Sequence, residues 1–113
     1  MMRALLRSII RNATVTHAGS ASLSIDPILM RAAELLPLEQ VDVVNVATGA
    51  RITTFVEAGE EGSGAVDVHG VARIGDAVAV LSWGYLHEGQ TLVHRAKVVE
   101  VDAQNRITAL VEG

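Results

Sequence analysis

The chain has 113 residues, enough for one domain with one modest core. Half of the residues are apolar, yet Phe55, Trp83 and Tyr85 are the only aromatic ones, so the core must be aliphatic, which favours strands rich in Val and Ile. The net charge of −4, with nine Lys and Arg spread thinly, excludes the basic stripe and aromatic platforms of a nucleic-acid binder, and the lack of cysteine excludes a disulfide framework and thiolate chemistry and fits a cytoplasmic protein.

The first eleven residues interleave charged and apolar side chains. Their longest apolar run is far below the roughly twenty residues of a membrane span, so neither a signal peptide nor a membrane helix is expected. Arg3, Arg7 and Arg11 stand four apart, as they would on one face of a helix, whereas Ile9, Ile10, Thr14, Val15 and Thr16 are β-branched. The β-branched run predicts a strand over residues 5–16, with a helix through Leu6 to Arg11 as the alternative. Residues 16–26, Thr-His-Ala-Gly-Ser-Ala-Ser-Leu-Ser-Ile-Asp, are small and hydroxyl-rich and read as a tight connection. Asp26-Pro27 predicts a helix start, because Asp accepts from the free amides and Pro loses nothing at the first position. Ile28, Leu29, Ala32, Ala33, Leu35 and Leu36 fall at helical spacing, and Pro37 stops the run.

From Gln40 the period changes to two. Val41, Val43 and Asn45 alternate with Asp42, Val44 and Val46, which predicts a strand; Ala47-Thr48-Gly49-Ala50 is a turn, and residues 51–56 return as the second arm of a hairpin. Residues 57–64, with three glycines and three glutamates, read as an exposed loop. A short strand over 65–70, a turn at 74–76 and an apolar, central strand over 77–83 follow. Two last strands, 92–101 and 106–111, are joined by Asp102-Ala103-Gln104-Asn105. One short helix among six or seven strands predicts a mostly β protein, a small barrel, as one domain over residues 1–113.

Several chemistries fail on residue type or spacing. His17, His69, His87 and His94 have no Cys partners and no His-x-x-x-His spacing, so no metal site is expected. Gly59-Glu60-Glu61-Gly62-Ser63-Gly64 is glycine-rich, but its glutamates repel phosphate and no Lys follows. A Ser-His-acid hydrolase lacks its Gly-x-Ser-x-Gly elbow. Ser20, Ser22 and Ser24 remain, either as turn-formers bonding their own backbone or with one of them as a nucleophile. A serine hydroxyl held in a strained turn can attack the carbonyl before it. The resulting ester eliminates to dehydroalanine and hydrolyses to a pyruvoyl group, a ketone that forms Schiff bases with amines. Such a serine needs a small residue before it, which Gly19-Ser20 and Ala21-Ser22 both provide.

The chain resembles the bacterial aspartate 1-decarboxylase family. The residues that carry the resemblance are the Met-x-Arg-x-x-Leu start, Val15-Thr16-His17-Ala18, Ile25-Asp26, Ala32-Ala33-x-Leu35, Glu39-Gln40-Val41-x-Val43, Asn45-Val46, Thr48-Gly49-x-Arg51, Thr54, Glu60-x-Gly62-Ser63-Gly64 and Gly75-Asp76. Their order and spacing together are specific. The resemblance implies a double-psi β-barrel, a homotetramer with active sites between subunits, a small-molecule substrate, and a pyruvoyl cofactor made by self-cleavage. Anchored on Ile25-Asp26, it implies cleavage between Ala21 and Ser22, with the pyruvoyl formed from Ser22. Arg51 corresponds to the ligand of the substrate carboxylate and Thr54 to the residue that polarises the carbonyl during processing.

The chain departs from the family pattern at positions that bear on chemistry. Ala21 stands where the family has glycine, Ile9 where it has an active-site lysine, Phe55 where it has a proton-donating tyrosine and His69 where it has asparagine. The segment before Ile25 is three residues shorter. Phe55 has no proton to donate, so His69 becomes the expected donor. Ile9 removes a cation, which weakens binding of a dianion by about 1.5–3 kcal/mol. The expectation is a divergent lyase acting on an aspartate-related or less acidic amino acid. The alternatives are an uncleaved barrel with other small-molecule chemistry in an intersubunit pocket and a non-catalytic oligomer.

Overall fold

Alternating valine and isoleucine dominate the strands of the structure, a computed structural model that describes residues 1–91 and 93–113. In chain order the elements are β1 (Met2–Thr14), β2 (Leu23–Ile25), α1 (Pro27–Ala32), β3 (Gln40–Asn45), β4 (Arg51–Ala58), β5 (Val66–Asp67), β6 (Ala77–His87), α2 (Glu88–Thr91), β7 (Lys97–Val101) and β8 (Ile107–Glu112). The strands form one sheet in the order β5-β2-β4-β3-β6-β1-β7-β8. The sheet curls. Just beyond β1, the amides of Thr16 and His17 donate to the Val66 carbonyl oxygen, and His17 bridges Asp67, so the chain leaving β1 reaches the β5 edge. Side chains of one sheet face, including Ile10, Leu23, Ile25, Val41, Val43, Val56, Val78 and Val80, fill the aliphatic core inside this curl. The mostly β, small-barrel architecture expected from composition and period is the one observed.

The differences have local causes. The alternative of a helix through Leu6 to Arg11 is overturned, because β1 pairs antiparallel with β6 along its length and parallel with β7 at Ser8 to Arg11. Its three arginines go to three separate partners: Arg3 to Glu88, Arg7 to Glu39 and Arg11 to Glu100. The helix begins at Asp26 and Pro27 as expected but ends at Ala32, short of Pro37. Glu34 adopts φ 56°, its amide donates to the Arg31 carbonyl oxygen, and the Leu35 amide donates to that of Met30, which is the pattern of a left-handed C-terminal cap. Leu35 is thereby folded back into the core instead of extending the helix. A second helical turn, α2, adds to the one helix expected. Glu57 and Ala58 extend β4 rather than opening the loop, and the strand placed at 92–101 begins only at Lys97; Leu92 lies outside the described residues.

One carboxylate ties several of these pieces together. Asp26 Oδ1 accepts from the Ile28 amide at 2.9 Å and from the Gly62 amide at 3.0 Å, and Oδ2 accepts from the Gly64 amide at 2.9 Å. It caps the helix and pins the glycine-rich loop at once. Gly64 has φ +68°, and a Cβ there would stand 2.6 Å from the Gln104 carbonyl oxygen, so this position requires glycine.

Candidate active site

The residues singled out from the sequence fall into two groups. On β4, side chains alternate between faces: Ile52, Thr54 and Val56 turn inward, while Arg51, Thr53, Phe55 and Glu57 are exposed. Cross-strand register places Ile9 beside Leu81, Leu81 beside Asp42, Asp42 beside Thr53, and Gln40 beside Phe55. Ile9, Arg51 and Phe55 therefore share the outer sheet face, as members of an apolar surface that also carries Leu81, Trp83 and Tyr85. Glu39, Gln40, Trp83 and Tyr85 line an open cleft there.

The polar centre of this face is Asp42, which is only 6% exposed. Its Oδ2 accepts from Arg51 Nη2 at 2.7 Å and from Trp83 Nε1 at 2.8 Å, and its Oδ1 accepts from Thr53 Oγ1 at 2.5 Å. The Thr53 bond, with help from Trp83 and Arg51, outweighs burial and holds the Asp42 carboxyl below its usual pKa. The carboxylate anchors one nitrogen of a half-exposed guanidinium, which leaves the rest of the fork presented to solvent. Sequence reasoning missed Asp42 and Trp83 as parts of this cluster. The period-two pattern placed Asp42 opposite the Val41 face, but only the pairing of β3 with both β4 and β6 brings Trp83 to it.

The second group surrounds Ser22. Ala21 and Ser22 form a bend directly before β2, and Ser22 is 4% exposed. Ser22 Oγ donates to Glu57 Oε2 at 2.7 Å, and Ser20 Oγ lies 3.2 Å from Ser22 Oγ. Because the single Ser22 hydroxyl proton points to Glu57, Ser20 is the donor in the second contact. Asp67 Oδ1 accepts from the Gly19 and Ser20 amides, both at 2.9 Å, and fixes the loop from beneath. The His69 amide donates to the Ser20 carbonyl oxygen at 2.9 Å, and His69 Nδ1 lies 3.0 Å from the Ala18 carbonyl oxygen. A carbonyl only accepts, so Nδ1 carries a proton. His69 thus belongs to the serine loop, while Thr54 lies on the inner side of β4. Glu57 and Asp67 were not singled out from the sequence, because a parallel β2–β4 pair and a β2–β5 pair bring them to the loop from 35 or more residues away.

Arg51 and Glu57, one from each group, lie toward opposite ends of β4. Arg51 and Glu57 are six positions apart on β4, about 20 Å at roughly 3.3 Å per residue. Among the described residues no group of three or more His, Asp or Glu converges to hold a metal ion, and no helix is long and apolar enough to cross a membrane.

Comparison with known proteins adds a family to this geometry. The profile of the family described as aspartate decarboxylase matches residues 1–108. This chain belongs to the aspartate decarboxylase family. It is 43% identical over 116 residues to the aspartate 1-decarboxylase of Dehalococcoides mccartyi strain CBDB1, an alignment covering 96% of this chain and 94% of the relative. The aspartate 1-decarboxylase of strain ATCC BAA-2266 / KCTC 15142 / 195 of the same species matches with the same identity and coverage. These relatives are lyases, the enzyme class read from the sequence, and the family is the one the sequence resembled.

Proposed function

We propose that this chain is a pyruvoyl-dependent amino-acid decarboxylase that makes its own prosthetic group by breaking the bond between Ala21 and Ser22. The observation that carries the reading is the buried Ser22 hydroxyl, hydrogen-bonded to a carboxylate at 2.7 Å in a bend behind a small residue. The residues present fit the group. Ser22 supplies its atoms, Ala21 leaves room for the attack, and Asp67 and His69 hold the preceding loop. Thr54 stands two residues before Val56, the β4 partner of Leu23, on the strand that flanks β2, which supports Thr54 as the polariser of the Ala21 carbonyl. When present, the pyruvoyl group supplies a ketone that condenses with the substrate amine and draws electrons from the bond to the departing carboxylate.

The chain's own residues do the remaining work. Arg51, held by Asp42, binds the carboxylate that the substrate keeps. Ile9 and Phe55 make the adjoining wall apolar, and Phe55 has no proton to give. His69 returns a proton to the carbon that lost carbon dioxide. With Ile9 in the place of a cation, the site suits an aspartate-related amino acid or one less acidic than aspartate. Arg51 stands six positions along β4 from Glu57, the hydrogen-bond partner of Ser22, which supports sites shared between subunits of a homotetramer: one subunit contributes the loop and another the Arg51 face. The exposed Phe55 and Tyr85 give that face apolar surface for such an assembly. The chain acts as one domain, in the cytoplasm.

A denaturing mass spectrum of the purified, aged protein tests the reading. Two pieces are expected, the larger beginning with a pyruvoyl group in place of Ser22. One species of full-chain mass would overturn it and leave the pocket to chemistry without cleavage.

A further inference from the structure

Glu57 lies outside every motif by which the chain resembles its family, yet its carboxylate is the acceptor of the Ser22 hydroxyl proton. We propose that Glu57 is the general base of self-processing, an inference that rests on the cleavage reading above. A serine hydroxyl is a weak nucleophile until a base takes its proton, and a base must lie within about 2.6–3.2 Å of that proton's heavy atom. Glu57 Oε2 meets this at 2.7 Å. The other acid of the loop, Asp67, has Oδ1 occupied by the Gly19 and Ser20 amides, and His69 Nδ1 is committed to the Ala18 carbonyl oxygen. Ser20 donates to Ser22 Oγ and so stabilises the charge that develops there. The parallel pairing of Ser24 with Glu57 fixes the base one strand away from the bond it serves. Glu57 is exposed, so water can relay its proton.

The step balances without any oxidant or reductant. Glu57 takes the Oγ proton as Oγ bonds to the Ala21 carbonyl carbon; the bond from that carbon to the Ser22 nitrogen then breaks, and the nitrogen receives the proton. The peptide has become an ester of the same composition. Water takes the Ser22 Cα proton as the Cβ–Oγ bond breaks, its electron pair leaving with Ala21 as a carboxylate, and dehydroalanine remains. One water hydrolyses its imine tautomer to the ketone and frees ammonia.

The test follows cleavage of freshly purified full chain by mass spectrometry, comparing wild type with Glu57→Gln and Glu57→Ala, the latter with and without added formate. Glu57→Gln keeps the shape and an acceptor oxygen, so its thermal melting should match wild type while cleavage slows by about 10²–10⁴-fold. Formate should restore part of the rate to Glu57→Ala. Cleavage of Glu57→Gln at the wild-type rate overturns the proposal. A slow Glu57→Ala that formate leaves slow also overturns it, and assigns Glu57 to holding the loop. Wild type that never cleaves overturns the reading beneath it, a result distinct from both.

Discussion

His69 is held by its backbone amide and by Nδ1, which leaves Nε2 as the ring atom able to exchange a proton with a substrate. The proton delivery proposed for His69 is separable from its hold on the serine loop, and substitution distinguishes them. In His69→Ala, turnover measured by release of carbon dioxide should fall about 10²–10⁴-fold while mass spectrometry still finds the chain cleaved at Ser22. Unchanged turnover would remove His69 from the proton-donor role. Phe55, on the exposed face of β4, is chemically silent by comparison, and its contribution is area. The same scale explains why Arg51 was legible as a candidate while its partner was not: Arg51 stands in a motif, whereas Asp42 reads as one polar residue in a strand of valines.

Two carboxylates join elements here in addition to the shared hydrophobic core. Asp26 holds helix α1 and the glycine-rich loop, and Asp42 holds β3, β4 and β6. Burial opposes the charge on Asp26, but the amides of Ile28, Gly64 and Gly62, together with Arg31, outweigh it and lower its pKa; Asp42 is lowered as well. A carboxyl whose folded pKa lies below its unfolded value contributes stability that is fully present above the unfolded pKa. That contribution is lost as pH falls through the folded pKa. Urea unfolding should therefore show stability level from neutral pH down to about 4 and falling below that, in the range where free carboxyls titrate near 3.9. Asp26→Ala should cost about 1–3 kcal/mol at pH 7, since three amides lose their acceptor, and should flatten the acid limb. An acid limb as steep as that of wild type would mean that other carboxyls set it.

At the scale of the whole molecule, the proposed sharing of sites between subunits makes the assembly testable. Light scattering should give four-chain mass, and co-expression offers a sharper measurement. On the proposed roles, Ser22→Ala lacks the pyruvoyl precursor and Arg51→Ala lacks the ligand of the substrate carboxylate, so each variant alone should be inactive. On the shared-site proposal they should recover activity when produced together, in mixed tetramers that set the intact loop of one chain beside the intact Arg51 of another. Absence of recovery in isolated mixed tetramers would place the whole site within one chain.

The sequence by itself determined the aliphatic β architecture, the Asp26-Pro27 helix start, the β3–β4 hairpin and the family, because period, capping chemistry and ordered motifs are local properties of the chain. Tertiary structure decided the helix end at Ala32, where burial of Leu35 prevails over helical spacing. It also decided that Asp42 gathers Arg51, Thr53 and Trp83, and that Glu57 receives the Ser22 proton. The Asp42–Trp83 and Ser22–Glu57 contacts join elements that are neighbours in the sheet but distant in the chain, and no local pattern encodes which strand will lie beside which.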